Sequence, residues 1–273
     1  MSWAHPIRII RRGRAVARPS PTEWEQHLAR FASFDARLPG ADRQELRRRI
    51  KIFLAEKRFE GVGGLEMTDA IRVAVAAGAC LLLLHRGEDY YPGLVSILVY
   101  PAAYRVHTRE HSAGGLVTEG DQVRAGEAWV AGTVVLSWED VLHGIQRPMD
   151  GRNVIVHEFA HQLDMEDRDP DGAPVLDGRD AYAEWARVLS REFAALQEAV
   201  ERHEPTLIDG YGAQSPAEFF AVVTETFFEK PIAMRDQLPE LYAQLRRFYR
   251  QDPASWDDLV PDQDRPRAPS TSR

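Results

Sequence analysis

One stretch of the chain, residues 153–164, limits its fold and its chemistry more than any other. The stretch reads NVIVHEFAHQLD and contains the pattern H-E-x-x-H, formed by His157, Glu158 and His161. In an α-helix, residues four positions apart are separated by only about 40° around the axis. The two imidazoles would therefore project from one face, one turn apart, where they can bind one cation. The pattern predicts a helix that carries a metal site.

An ordinary amphipathic helix with two surface histidines is the alternative to a metal site. The other residues of the stretch are mostly apolar, so we expect the helix to be buried. Burying two imidazoles beside a carboxylate costs several kcal/mol unless something binds them. Glu158 directly follows the first histidine, so its carboxylate should lie beside the cation, where a base accepts a proton from water. These considerations favour the metal site.

The composition is that of a globular protein without disulfides. The chain has 273 residues, of which 44% are hydrophobic and 28% are charged, enough for a sizeable core. Its net charge of −8 argues against a general nucleic-acid binder. Cys80 is the single cysteine, which excludes an internal disulfide and is typical of a reducing compartment. We therefore expect a cytoplasmic protein with neither nucleic acid nor a membrane as a partner.

Two segments outside the main domain are predicted to be disordered. Residues 1–21 are basic, and their apolar run is too short for a signal peptide. The arginines of this segment are Arg8, Arg11, Arg12, Arg14 and Arg18. A solvated tail is favoured here over contact with a membrane or with nucleic acid. The second segment, residues 254–273, is rich in proline and aspartate, so we expect a single domain over residues 22–253.

The periodicity of apolar residues predicts a domain that contains both helices and strands. β-Branched and apolar runs predict a strand at residues 94–100 and either one or two strands within residues 128–138. Either run could pair with an extended substrate through backbone hydrogen bonds. Helices are predicted over residues 22–39, 41–60, 70–84, 137–142, 153–164, 180–202, 215–228 and 238–250, with a loop over residues 165–179.

A third metal ligand must come from outside the H-E-x-x-H helix, because catalytic zinc sites usually have three protein ligands. Glu218 and Glu225 are the candidates, and both lie on the helix predicted over residues 215–228. They are seven residues apart, so they share nearly the same face. Glu218 also fits a helix-capping box that begins at Ser215 and needs no metal. The residues alone leave the choice between the two glutamates open.

Two other polar residues have a structural and a functional interpretation. Asp164 lies three residues after His161, where a carboxylate either orients a ligand histidine or caps the helix end. Tyr211 lies in a turn between two glycines. From the turn alone, a tyrosine that packs its ring on the surface is the favoured interpretation.

Three segments of the chain resemble the Mlc titration factor A family. They are HEFAHQLD, IDGYGAQSPAEFFAVVTETFF and FYRQDP, within a resemblance that extends from about residue 25 to residue 253. Members of this family are bacterial zinc metallopeptidases whose site is similar to that of the anthrax lethal factor protease domain. The resemblance implies one Zn²⁺ per chain, with His157, His161 and Glu218 as its ligands. It implies Glu158 as the general base and Tyr211 as a group that stabilises the transition state.

The resemblance therefore implies an α+β, zincin-like metallopeptidase domain of the gluzincin type. A small sheet would pack with the H-E-x-x-H helix, and additional helices would precede and follow this unit. The expected substrate is a peptide or protein, and Glu225 would then lie outside the ligand set. The alternative is a regulatory protein that sequesters a transcriptional repressor, with a zinc site of secondary importance. Glu158 favours the enzyme, because a structural zinc site does not need a base.

Overall fold

A four-stranded sheet and ten helices make up most of the chain that the structure describes. This computed structural model describes residues 4–102, 104–111, 117–124, 126–130 and 132–256. Strands β1 (Arg58–Gly61), β2 (Ser96–Tyr100) and β6 (Thr133–Ser137) are parallel, and β5 (Gly126–Val130) pairs antiparallel with β6 at one end of the sheet. The strand order is β1-β2-β6-β5. The predicted α+β class is confirmed.

A separate two-stranded hairpin lies between β2 and β5 in the chain. It consists of β3 (Tyr104–His111) and β4 (Val117–Arg124), which pair antiparallel. The sequence analysis predicts no strand there, because the stretch is polar and lacks the run of apolar residues that marks the other strands. The run at residues 128–138, in contrast, forms parts of two strands, β5 and β6, as one of its two predicted forms requires.

The helices have these bounds: α1 Ala4–Ala17, α2 Glu23–Phe31, α3 Gly40–Glu56, α4 Asp69–Leu81, α5 Trp138–Gln146, α6 Val154–Asp164, α7 Arg179–Glu201, α8 Pro216–Glu229, α9 Pro231–Gln237 and α10 Pro239–Tyr249. Short 3₁₀ turns occur at Ser33–Arg37, Met165–Asp167, Gly210–Ala213 and Pro253–Ser255. Among the described residues, no helix is both long and apolar enough to cross a membrane.

Helix α6, which carries the H-E-x-x-H pattern, lies in the core between α4, α8 and the sheet. Its approach to α4 depends on Gly78, because a Cβ there would lie 2.6 Å from Ile155 Cγ2. Phe159 projects into an aromatic cluster, with its ring centroid 4.9 Å from that of Tyr91 and 5.7 Å from that of Phe53. These contacts fix the orientation of α6 and therefore the direction in which its histidines project.

Local capping explains where the two helices of the site begin. The Oδ1 atom of Asn153 accepts a hydrogen bond from Val156 N at 3.2 Å and caps α6. Ser215 Oγ accepts one from Glu218 N at 3.1 Å, and Pro216 occupies the first helical position of α8. Both caps satisfy backbone donors that the helix itself leaves unpaired.

The segment of residues 1–21 differs from the disordered tail that the sequence predicts, since much of it forms helix α1. The helix is held on α3 by an ion pair in which Arg12 Nε lies 2.5 Å from Glu56 Oε1. Arg12 also donates to the carbonyl oxygen of Glu88 at 2.7 Å. Basic composition alone favours solvation, but these paired acceptors lie on distant parts of the chain and could not be recognised from the tract itself.

At the other end, the predicted disordered segment at residues 254–273 lies mostly outside the described residues. Within the described part, Trp256 is buried.

Candidate metal centre

Three side chains from α6 and α8 converge on one point. His157 Nε2 lies 3.1 Å from Glu218 Oε2, and His161 Nε2 lies 3.5 Å from the same oxygen. The two Nε2 atoms are 3.2 Å apart. One ligand atom from each residue lies within 4.8 Å of the other two, and this is the one such group of three or more potential ligands among the described residues.

The chemistry of this donor set fits a zinc ion. Two imidazole nitrogens and one carboxylate oxygen form the His₂Glu set of catalytic zinc sites, which leaves a fourth position open. The three atoms face a common centre, where a cation would accept a lone pair from each. Nearby, Glu158 Oε2 is buried and has no hydrogen-bond partner among the described residues. The residues present therefore fit the ion.

Seven residues along α8, Glu225 contacts the other side of the same imidazole. Its Oε1 atom lies 2.7 Å from His157 Nδ1, and its Oε2 atom accepts a hydrogen bond from the backbone N–H of Asn153. Glu218 and Glu225 thus hold the His157 ring between them. A hydrogen bond from Nδ1–H to Glu225 selects the tautomer that leaves the Nε2 lone pair free for a cation.

The charges at the centre are strongly coupled. Burial favours the neutral form of His157, but hydrogen bonds to Glu218 and Glu225 raise its pKa well above the ordinary value. Burial lowers the pKa of His161. Burial alone would raise the pKa of Glu218, but its hydrogen bonds to the two histidines lower it to about 2. In the protein without a cation, a proton on His157 therefore compensates the negative charge of the carboxylates.

Glu158 lies on α6 with only 4% of its surface exposed. Burial raises its pKa to about 7, and the negative charges of Glu218 and Glu225 act in the same direction. Its carboxyl group can therefore take up or release a proton near neutral pH, which a general acid or base requires.

Tyr211 stands at the rim of the centre and is 48% exposed. Its ring centroid is 6.0 Å from that of His157. Asp209 holds the turn, since its Oδ1 atom accepts a hydrogen bond from Tyr211 N at 3.0 Å. Arg152 in turn binds Asp209 Oδ2, with Nη2 at 2.6 Å and Nε at 3.0 Å. The structure thus places the partly exposed ring of Tyr211 beside His157.

Asp164 contacts the loop that follows α6. Its Oδ2 atom accepts a hydrogen bond from Gly172 N at 3.0 Å, and Trp185 Nε1 donates to the carbonyl oxygen of Gly172 at 3.0 Å. Gly172 has a φ of +80°, and a Cβ there would lie 2.4 Å from the carbonyl oxygen of Pro216. Asp164 therefore anchors the loop against α7 and α8, a role that neither sequence interpretation included.

Residues that the sequence analysis did not single out hold α6, α8 and the turn of Tyr211 in place. Glu229 accepts hydrogen bonds from Asn153 Nδ2 at 3.0 Å and from Met149 N at 2.8 Å, so it ties the start of α6 to the end of α8. Arg152 and Asp209 were also not singled out. The available signal was local: an aspartate two residues before a tyrosine in a glycine-rich turn commonly caps the following backbone.

The sheet distinguishes the two runs considered for substrate pairing. Strand β2, within residues 94–100, has β1 on one side and β6 on the other. Both of its backbone edges are therefore occupied. Strand β5 ends the sheet and packs against α6.

Comparisons with known proteins extend over nearly the whole chain. The sequence profile of the glucose-regulated metallo-peptidase M90 family matches residues 7–250. An uncharacterised protein of Synechocystis sp. is 42% identical over 253 residues, which are 92% of this chain and 92% of that protein. The Mlc titration factor A of Klebsiella pneumoniae is 34% identical over 84% of this chain and 86% of its own length. That of Pectobacterium atrosepticum is 33% identical over 82% and 86%.

Proposed function

Because the chain belongs to the glucose-regulated metallo-peptidase M90 family, we propose that it is a zinc peptidase that hydrolyses peptide bonds by direct attack of water. One observation carries the proposal: two imidazole nitrogens and a carboxylate oxygen converge beside a buried glutamate. A merely structural metal site has no use for that glutamate.

His157, His161 and Glu218 would hold one zinc ion per chain. When bound, zinc lowers the pKa of water toward about 7 and polarises a substrate carbonyl. Glu225 would keep the Nδ1 proton of His157 in place, so that Nε2 remains a ligand atom. The hydrogen bond from the backbone of Asn153 fixes the Glu225 carboxylate for this purpose.

Glu158 is the proposed general base. It would accept the proton of the attacking water and then deliver it to the leaving amine, so no covalent intermediate with the enzyme forms. In the metal-free protein, burial raises the pKa of this carboxyl group to about 7, so both its protonated and its ionised form are accessible near neutral pH. Its burial also keeps bulk water from competing for the proton.

Tyr211 is the proposed donor to the oxyanion that develops on the substrate carbonyl. The position of its ring beside His157 and its partial exposure to solvent support this role. The capping of its turn by Asp209, itself bound by Arg152, would limit the movement of the ring. Such positioning lowers the cost of organising the donor during the reaction.

The edge strand β5 is the proposed binding place for an extended peptide. A substrate paired with this strand would present its backbone to the side of the sheet that faces α6. Main-chain hydrogen bonds of this kind provide affinity with little dependence on side chains. The interior strand β2 has no free edge for such pairing.

The name Mlc titration factor A, which several relatives carry, supports a second proposal. In it, the chain binds a transcriptional repressor as a protein partner. An experiment can separate binding from hydrolysis. If the Glu158→Gln variant still captures the repressor, the repressor is a partner that is bound without catalysis. Loss of capture in that variant would instead link the partner to the active centre.

The test of the peptidase combines metal analysis with a peptide-library assay of wild type, Glu158→Gln and the surface control Glu184→Gln. We expect stoichiometric zinc in all three proteins. The Glu158→Gln variant should lose about 10²–10⁴-fold in rate, the usual span for a missing general base. Near-normal turnover in this variant would exclude Glu158 as the base. A wild-type protein that takes up no zinc would overturn the metal assignment itself.

A further inference from the structure

Helix α1 carries a surface that the proposed peptidase does not use. The side chains of Ile9 and Ile10 are 57% and 55% exposed. The side chains of Arg11 and Arg14, and of Arg18 directly after the helix, are also exposed. We call these five residues the α1 basic face. Contiguous exposed apolar surface that is rimmed by polar side chains can mark an interaction site.

The arginines of α1 divide into two groups by their contacts. Arg12 pairs with Glu56, and Arg8 lies 3.5 Å from Asp89, so these two hold the helix on the domain. On the α1 basic face, Arg14 and Arg18 have no carboxylate partner within the described part of the chain. The positive charge that remains for a ligand therefore lies on the outer side of the helix.

Three arginines of the α1 basic face surround one groove. Arg11, Arg14 and Arg18 line it together with Ile10 and Ala55, and its volume is about 540 Å³. The Arg11 guanidinium donates to the carbonyl oxygen of Ala55, which holds it at the groove. Guanidinium groups bind phosphate through paired hydrogen bonds, so the groove suits a phosphate ester.

The charge along the sequence also places positive residues near α1 and negative residues in the rest of the chain. Residues 1–21 contain five arginines and no aspartate or glutamate, whereas the whole chain has a net charge of −8. The remaining residues therefore carry a net charge of −13. An anionic surface would attract the α1 side of the molecule and repel the rest, which orients the molecule as it approaches.

In contrast to the solvated tail without a membrane partner that the sequence predicts, we propose that the α1 basic face docks the protein on an anionic lipid surface. The arginines would contact lipid phosphates, and the two isoleucines would enter the boundary between headgroups and acyl chains. Nucleic acid also attracts arginine, but it offers no apolar layer that two adjacent isoleucines could enter. The docking is peripheral and reversible, and it is independent of the proposed peptidase.

The test uses the full chain in sedimentation with vesicles of phosphatidylcholine, with or without phosphatidylserine. We expect binding only to the anionic vesicles, and binding that weakens as salt is added because the contact is exposed. The double variant Arg14→Gln/Arg18→Gln should bind about tenfold or more weakly, from the usual contribution of a basic side chain at such a surface. Ile9→Asn/Ile10→Asn should also weaken binding, although it leaves the charge unchanged.

A control variant removes the same charge elsewhere. Arg202→Gln/Arg235→Gln removes two exposed arginines elsewhere, one directly after α7 and one in α9, and it should bind anionic vesicles like the wild type. The thermal unfolding of each variant shows whether the fold is intact. The proposal is overturned if anionic vesicles do not bind the wild type, or if the isoleucine variant binds as well as the wild type. Binding to duplex DNA without binding to vesicles would also overturn it.

Discussion

His157 illustrates how much of the site depends on one ring. Glu218 approaches its Nε2 atom and Glu225 its Nδ1 atom, and both carboxylates come from one helix. Seven residues correspond to about two helical turns, roughly 10 Å, which is room enough for an imidazole between two glutamate side chains. The ring is therefore held in the plane that a ligand requires, and its basicity is increased by the acceptor at Nδ1.

At the same scale, Tyr211→Phe tests the oxyanion donor. The change removes only a hydroxyl from a half-exposed ring, so zinc content and stability should change little. We expect kcat to fall by about 10²–10³-fold, the usual loss for one such donor, with KM nearly unchanged. Steady-state kinetics on a single peptide provide the measurement. Tyr182→Phe is the control, and a normal kcat for Tyr211→Phe would return that tyrosine to a packing role.

The raised pKa of Asp164 leads to a prediction about how stability depends on pH. Burial raises the pKa of this carboxyl group to about 7 from its ordinary value near 4. The folded protein therefore holds this proton more tightly than the unfolded chain does. The corresponding stability is fully present below about pH 4 and is lost as the pH rises through about 7.

Asp164→Asn mimics the protonated form and can still accept the hydrogen bond from Gly172. As the pH rises from 5 to 8, the wild type should lose this stability and the variant should not. We therefore expect the Tm of the variant, relative to that of the wild type at the same pH, to be higher at pH 8 than at pH 5. The exposed control Asp236→Asn should show no such change. A difference that is the same at both pH values would show that the ionisation of Asp164 does not affect folding.

At the scale of elements, helix α8 supplies a carboxylate from each of two positions. The cap of α8 uses the backbone N–H of Glu218 and not its side chain. Glu218→Ala should therefore leave the cap of α8 intact, while it removes a proposed ligand atom. Glu225→Ala should weaken metal binding by about 10–100-fold, the usual effect of losing the partner of a ligand histidine.

Zinc titrations of both variants measure the difference, and the loss should be larger for Glu218→Ala. If Glu225→Ala is the variant that no longer binds zinc, the ligand assignment is wrong by two helical turns.

The elements that surround the site were predictable because each has a strong local signal. The predicted helices at residues 153–164 and 215–228 correspond to α6 and α8 with small differences at the ends. Apolar periodicity and capping residues are local properties, so the sequence specifies them directly. The same holds for β2, whereas the sequence left open whether residues 128–138 form one strand or the two that the structure has.

Other elements depend on partners that are distant in sequence. Residues 58–60 were predicted to end a helix, but they form β1, because pairing with β2 satisfies their backbone. Helix α9 was not predicted, since seven residues between two prolines carry little periodicity. The turn at Asp209 also depends on a distant partner, because Arg152, with which Asp209 forms an ion pair, lies 57 positions away in the sequence.

For the candidate site, the sequence could nominate residues but not distances. The one-turn spacing of His157 and His161 places both imidazoles on one face. Whether Glu218 or Glu225 reaches them depends on the packing of α8 against α6, which no local pattern specifies. The structure brings both glutamates to His157, on opposite sides of its ring.

At the scale of the whole molecule, a bound ion would join α6 to α8. The proposed ligands are separated in the unfolded chain, so a zinc ion would bind the folded state preferentially and stabilise it. At a free zinc concentration about 100-fold above Kd, the gain is about 2.7 kcal/mol, or roughly 5–10 °C in Tm for a domain of this size. Calorimetry before and after chelation measures this shift.

The shift should decrease as the pH falls, because protons compete with zinc for the imidazoles. The raised pKa of His157 in the metal-free protein strengthens that competition. The variant without both histidines, His157→Ala/His161→Ala, should show no response to the chelator. An equal response in this variant would place the stabilising ion elsewhere.

The separation of α6 from α8 along the chain has a consequence for biosynthesis. Glu218 follows His161 by roughly 60 residues, so at about 5–20 residues per second a ribosome adds it some 3–12 s later. During that interval the nascent chain has both histidines and Glu158, but neither of the carboxylates that hold His157 from its two sides. Insertion of the ion is therefore expected to wait until α8 has been made, and a chain stalled before residue 216 should emerge without metal.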